Sequence, residues 1–400
     1  MNESGQISMK VIGVGGAGSN IVDRLMLSNP SGVQLAVINT DHQALANSPV
    51  TDKRCIGESI TRGLGASGDP EIGKEAALAD KSELESLVEG VDLLFIAAGL
   101  GGGTGTGIAP ALADIAAQNG ATVIAFVTLP FTIERAGRAK VAKRGLENLR
   151  QASNAVIPLP NDLLVQVSEG NASLLDAFSQ ADAWIEKGIS SIWKMMSKTG
   201  LMNLDYSQLR QVFLNRAGKT LFGLGEGNGE NAANEAIDDL KLCPLLHTPE
   251  FSKKADHLLV NLIGGANLGI SETQKIMESV TDAFGKDANV VMGAVIDESM
   301  GEKVEICVIG TSDLSDVSVF RGRKRSAPVP TVREENQARG SVKKESLKGV
   351  HKKRIKVKQD EFSFNEGEPR GEFEETMGYI FEGQDLDTPT YLRRGVKIPV

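Results

Sequence analysis

Seven residues, Gly101-Gly102-Gly103-Thr104-Gly105-Thr106-Gly107, follow the apolar run Val91 to Ala98 and precede the apolar stretch Ile108 to Ala117. A backbone free of side chains comes close to a phosphate chain, and the N-terminus of a following helix turns its free N–H groups toward the anion. The two threonines add hydroxyl donors where phosphate oxygens would lie. A plain connecting turn needs only about four residues. The stretch therefore suits a nucleotide phosphate cradle.

A second glycine cluster, Gly13-Val14-Gly15-Gly16-Ala17-Gly18-Ser19-Asn20, follows the strand-like Met9 to Ile12 and opens a helix from Ile21 to Leu27. Alone, this GxGxxG pattern is weak. It suits a dinucleotide-binding unit in which an acid about 20 residues later holds a ribose, and Asp41 stands in that place. One dinucleotide does not require a second phosphate loop, which tells against an oxidoreductase. Base selectivity has its own chemistry. Guanine presents N1–H and an exocyclic amine as adjacent donors for one carboxylate, while an asparagine amide offers both a donor and an acceptor. Asp182 and Asn161 have the right types. Asn161 equally suits a turn, and Asp182 a solvated position.

Taken with Asn39-Thr40-Asp41, Gly63-Leu64-Gly65-Ala66 and Gly99 to Gly107, these residues resemble the tubulin/FtsZ superfamily, specifically its bacterial cell-division branch, from about Lys10 to Ser312. The resemblance implies a GTPase that polymerises head to tail. It places GTP or GDP on Gly15, Gly16, Ala17, Asn20, Gly101, Gly102, Gly103, Thr104, Gly105 and Thr106, with Mg2+ held through the nucleotide and no metal site built by the protein. It assigns Glu134 to the ribose, Arg138 to the phosphates, and Asn161, Phe178 and Asp182 to the base. Arg135 stands where the family usually has glycine. Arg135 and Arg138 also fit an exposed basic helix face.

The stretch Gly200 to Gln208 resembles the loop that enters a neighbouring subunit's nucleotide pocket, making Asn203, Asp205 and Gln208 the catalytic positions. The second expected acid is here Gln208. A glutamine carries no carboxylate charge, and loss of a general base costs about 10²–10⁴ in rate. Glutamine nevertheless orients water in other GTPases. Asp205 and Gln208 also have the spacing of a capping box for a helix from Tyr206 to Asn215. Two functions follow: a GTP-hydrolysing polymer, or a GTP-binding filament scaffold with little turnover.

The alternation of strand, glycine turn and helix through Asn154 predicts an α/β fold with a parallel sheet, whose ligands bind at the strands' carboxyl ends. Leu174 to Met196 has helical periodicity, with Trp184, Ile185, Ile189, Ile192 and Trp193 on an apolar stripe. After Gly218 come glycine loops and then a second α/β unit, with strands Leu258–Ile263, Val290–Ile296 and Val304–Ile309 and a capping box at Ser271-Glu272-Thr273-Gln274. The expected organisation is a GTP-binding domain over 1–180, a central helix and catalytic loop over 181–217, a C-terminal α/β domain over 218–315, a disordered basic linker and variable tail over 316–384, and a terminal peptide over 385–400.

The whole chain of 400 residues carries a net charge of −9, yet Arg321 to Asp360 holds fourteen Lys/Arg against four Asp/Glu. No aromatics interleave this basic run, so it reads as a spacer, not a nucleic-acid platform. Asp385 to Arg394 resembles the peptide by which the family binds membrane-tethering division adaptors. The implied partners are further copies of the chain and such adaptors, at the inner face of the membrane in the cytoplasm. No apolar run is long enough to span a bilayer, and Met1 to Ser8 lacks signal-peptide blocks. Cys55, Cys243 and Cys307, odd in number and widely spaced, fit buried apolar positions better than a disulfide framework or zinc site.

Overall fold

The structure is a computed structural model that describes residues 7–27, 32–134, 136–163, 174–197, 205–213, 218–247, 255–312, 380–381 and 384–385. Its first sheet contains β1 (Met9–Val14), β2 (Val33–Asn39), β3 (Asp52–Cys55), β4 (Leu93–Gly99), β5 (Thr122–Leu129) and β6 (Ala155–Pro160). All neighbours are parallel, in the order β3-β2-β1-β4-β5-β6. The chain winds outward from β1 in one direction and from β4 in the other. This makes the β1/β4 junction the switch point where an open α/β sheet binds ligands.

The strands alternate apolar residues toward both faces. Val11 and Phe95 join one core, Ile12 and Ile96 the other, and all four are fully buried. Double burial is what near-continuous apolar strands of a parallel sheet require. The first core runs beneath the Gly15–Leu27 helix and a single Leu174–Ser197 helix into the second domain. Ile185, Ile189 and Ile192 are buried in it, so the periodic stripe is core, as its spacing predicts. The opposite core is covered by helices Pro70–Ala79, Lys81–Val88 and Gly103–Gln118.

The second domain has a sheet of its own, ordered β7-β10-β8-β9, from β7 (Thr220–Asn228), β8 (His257–Gly264), β9 (Asn289–Ile296) and β10 (Lys303–Thr311). Strand β10 is antiparallel to β7 and β8, and β8 is parallel to β9 across the Ile270–Phe284 helix. β7 corrects the expectation of glycine loops after Gly218. Its glycines let the Ala232–Leu242 helix lie directly on the strand: a Cβ on Gly225 would sit 2.2 Å from Ala236 O, and one on Gly227 2.0 Å from Ala232 O. The capping expectation shifts too. The Ile270–Phe284 helix is capped at Gly269, whose N–H donates to Glu272 Oε2 at 2.9 Å, and Ser271 lies within its first turn.

Buried bonds join the two domains. Thr220 Oγ1 donates to Val156 O at 2.5 Å, Thr311 Oγ1 to Val212 O at 2.8 Å, and Asn261 Nδ2 to Ser191 O at 2.8 Å. Cys243 and Cys307 are buried in the shared core, where burial pushes the Cys307 thiol up to about 12. Cys55 is half-buried.

Residues 324–400 form a separate unit. Within it Ile380–Phe381 pairs antiparallel with Gln384–Asp385, a short ladder in a stretch expected to be without structure up to 384. The basic linker and most of the terminal peptide lie outside the described residues. Among those described, no helix is long and apolar enough to cross a membrane.

Candidate nucleotide-binding site

A cleft of about 310 Å³ opens at the carboxyl ends of β1 and β4. Both glycine clusters line it, but as the first turns of helices and not as loops ahead of them. The helices begin at Gly15 and Gly103, several residues earlier than the apolar runs indicate. Gly102, the residue before the second helix, offers no side-chain cap, so the first N–H groups of that turn have no side-chain partner. The two turns abut: a Cβ on Gly15, whose φ is +73°, would lie 3.2 Å from Gly105 N. Two helix N-termini thus converge on one cleft, an arrangement suited to an anionic phosphate chain.

Packing also requires glycine at two positions of the 101–107 stretch. A Cβ on Gly107 would meet Pro70 O at 2.4 Å, and one on Gly105 would meet Gly99 O at 2.4 Å. The threonines also divide. Thr104 lines the cleft and shares a 2.7 Å hydrogen bond with Thr40 Oγ1. Thr106 is buried, accepts the Gly101 N–H at 2.9 Å and lines a groove behind the cleft, which corrects the expectation that both hydroxyls face phosphate.

On the cleft wall, Glu134 Oε2 accepts from Arg138 Nη1 at 2.5 Å, and Glu134 Oε1 accepts the Phe131 N–H at 3.0 Å. Arg138 Nε donates to Gly101 O at 3.4 Å, which links this carboxylate–guanidinium pair to the phosphate loop. Arg135 is outside the described residues. Asn161 is only 4% exposed, and its Oδ1 has no hydrogen-bond partner among the described residues. A buried amide oxygen left unmatched beside a cleft is what a base with N–H donors would satisfy. Phe178 is 42% exposed and meets Phe131 edge to face at 5.1 Å, leaving ring surface open to the cleft.

Of the expected ligand residues, Gly15, Gly16, Ala17, Gly102, Gly103, Thr104, Gly105, Glu134, Arg138, Asn161 and Phe178 line the cleft. Gly101 and Thr106 stand behind it, and Asn20 lies exposed one turn beyond Gly16. Asp182 follows Phe178 by one helical turn, and burial pushes its carboxyl up to about 6 against the pull of the Arg24 guanidinium. Asp41 caps the His42–Asn47 helix, accepting from Gln43 N at 2.8 Å and Ala44 N at 3.3 Å. Expected as a ribose acid, it instead caps a helix and is not among the residues that line the cleft.

Asp205 and Gln208 lie at the other end of the sheet. Asp205 precedes the Tyr206–Val212 helix, and Gln208 Oε1 accepts its N–H at 3.3 Å, one half of the expected capping box. The helix is described over Tyr206–Val212, and Asn215 is outside the described residues. Tyr206 Oη donates to Asp92 O at 2.5 Å and shares a 3.0 Å hydrogen bond with Thr122 Oγ1. Asp92 and Thr122 are at the amino ends of β4 and β5, while Thr128 at the far end of β5 lines the cleft. At about 3.3 Å per residue the strand separates the two sites by about 20 Å. Asn203 is outside the described residues.

Residues 8–169 match the Tubulin/FtsZ family, GTPase domain, and residues 218–313 match the FtsZ family, C-terminal domain. An empty FtsZ dimer from M. jannaschii aligns at 32% identity and a TM-score of 0.73, covering 82% of this chain and 96% of that one. The chain belongs to the tubulin/FtsZ family. A mutant FtsZ of M. jannaschii aligns at 34% identity and a TM-score of 0.73, covering 78% of this chain and 93% of the other. A GTPγS-bound CetZ2 protofilament from Haloferax volcanii, at 22% identity and a TM-score of 0.64 over 76% of this chain and 94% of that one, agrees in fold alone. Tubulin/FtsZ proteins are GTPases that bind GTP and GDP, which gives the cleft its ligand class. The strand order by itself also suits dinucleotide enzymes; the family match removes that alternative.

The sequence reading missed two contributors. Thr40 was visible within Asn39-Thr40-Asp41 but had no role until its bond to Thr104 brought it to the loop. Arg24 was not noticed, although its spacing of four from Asn20 and eight from Gly16 marks one helix face.

Proposed function

We propose that this protein is a GTP-dependent, self-assembling filament protein of cytokinesis, in which GTP is hydrolysed at the junction between subunits. The observation that carries the reading is the distance of about 20 Å along β5 between the cleft and the Asp205 end of the sheet. Asp205 cannot reach a nucleotide in its own cleft. In a head-to-tail stack, the amino-end face of one subunit meets the carboxyl-end face of the next, which brings Asp205, Gln208 and Asn203 to a neighbour's γ-phosphate. Such stacking is in keeping with the dimer and protofilament among the similar structures.

The residues fit a nucleoside triphosphate. The paired helix N-termini and Arg138 take the phosphates, Glu134 the ribose, and Asn161, Phe178 and Asp182 the base. Mg2+, when bound with the nucleotide, would neutralise charge on the phosphates that the two helix N-termini and Arg138 hold. Asp205 orients and polarises the attacking water, and Gln208 aligns it without carrying charge. Asp385 to Arg394 binds a membrane-tethering adaptor and places the filament at the division site.

A second reading rests on Gln208: a GTP-binding scaffold that assembles and turns nucleotide over slowly. GTP turnover and sedimentation over one protein concentration series test both. A shared site gives specific turnover that rises above the same threshold as pellet formation. Specific turnover unchanged at dilutions without polymer contradicts it, and polymer with almost no turnover selects the scaffold.

A further inference from the structure

Arg24 sits near the end of the Gly15–Leu27 helix whose first turn lines the cleft. Its guanidinium crosses to the Leu174–Ser197 helix. Nη1 donates to Ser179 O at 3.3 Å and Ser179 Oγ at 3.1 Å, and Nε pairs with Glu186 at 3.6 Å. Ser179, Asp182 and Glu186 are spaced by three and four residues and form one stripe of that helix, beginning beside Phe178. One side chain thus ties the helix whose first turn lines the cleft to the segment that carries Phe178 and Asp182.

We propose that Arg24 is a positioning residue for base recognition: it fixes the stripe bearing Phe178 and Asp182 and sets a positive charge beside the carboxylate that accepts guanine's two adjacent donors. The proposal rests on the base-reading role given to Asp182 above. From the facing helix, Arg24 is the charge that acts on Asp182, opposing the burial that favours its protonated form. Glu186, on Asp182's own helix, shares the same guanidinium. A protonated carboxyl loses an acceptor that guanine needs, so affinity should follow the ionisation of Asp182.

Arginine contributes both permanent charge and a planar fork, which lysine and glutamine separate. The test measures GTP, ITP and ATP affinity from pH 5 to 8.5 for the parent, Arg24→Gln and Arg24→Lys; ITP lacks the exocyclic amine. In the parent, GTP affinity should fall as pH drops through about 6. Arg24→Gln should move this midpoint upward by about half a unit or more and shrink the GTP-over-ITP preference at pH 7. Arg24→Lys should keep the midpoint and weaken GTP binding by a similar factor at every pH. A midpoint that stays put in Arg24→Gln, with GTP still preferred over ATP, overturns the role of Arg24. A parent that does not distinguish GTP from ATP overturns the base-reading role of Asp182 itself. If Arg24→Gln fails to fold, Glu186→Gln leaves the guanidinium undivided beside Asp182 and should lower the midpoint; an unmoved or raised midpoint counts against the proposal.

Discussion

At the scale of single residues, the burial of Asp182 works against stability. Its folded pKa of about 6 lies above the ordinary 3.8, so the folded state binds more protons than the unfolded state between these values. The stability it costs appears as pH rises from about 4 through 6 and stays constant above. Asp182→Asn should therefore stabilise the nucleotide-free protein at pH 7 by about 1–3 kcal/mol while weakening GTP binding. Paired thermal melts and GTP titrations at pH 7 check this; a variant less stable than the parent would contradict it. Gln208 is the other departure at this scale. If the missing carboxylate limits chemistry, Gln208→Asp should raise turnover inside filaments and shorten their lifetime, leaving monomer affinity for GTP unchanged. Equal turnover at saturating assembly would show that glutamine already positions water adequately or acts outside the slow step.

At the scale of elements, the glycine clusters divide between binding and packing. Gly107 faces backbone atoms of the Pro70–Ala79 helix, so Gly107→Ala should destabilise the fold by about 1–3 kcal/mol, as overpacking does. Gly16 has nothing within 4 Å of its Cβ direction and lines the cleft. Gly16→Ala should melt like the parent and bind GTP more weakly. A common loss of melting temperature in both variants would refute this division. The same contrast shows what was legible. Position and ligand class of the cleft were readable because glycine runs and their flanking apolar segments are local signals. Helix starts were not, since glycine's low helix propensity disguised turns whose N–H groups face the cleft. β7 escaped because Gly223, Gly225 and Gly227 dilute its strand pattern, and their reason is tertiary: a helix lying on the strand. In sequence Asp41 reads only as a ribose acid, and its capping role becomes visible with its bonds to the Gln43 and Ala44 N–H groups.

At the scale of the whole molecule, the two α/β domains share a core through the Leu174–Ser197 helix, and Asp205 and Gln208 lie at the end of the sheet opposite the cleft. No sequence pattern reports that opposition; it follows from strand direction once the sheet is parallel. No nucleotide-binding motif lies in the sequence of the terminal peptide. Removal of 385–400 should therefore leave GTP binding and pelleting unchanged and abolish recruitment to an adaptor-bearing membrane. The most direct test of the shared site is complementation. Asp205→Ala keeps a nucleotide cleft but lacks the acid, whereas the double variant Asn161→Ala/Asp182→Ala keeps the acid but binds GTP poorly. Each should be nearly inactive alone under assembly conditions, and GTP turnover should return when they are mixed, because the cleft of one meets the Asp205 of the other. Parent-like turnover by Asp205→Ala alone, or mixtures no more active than the separate variants while the parent hydrolyses GTP and the mixture still pellets, would contradict a hydrolytic site completed between subunits.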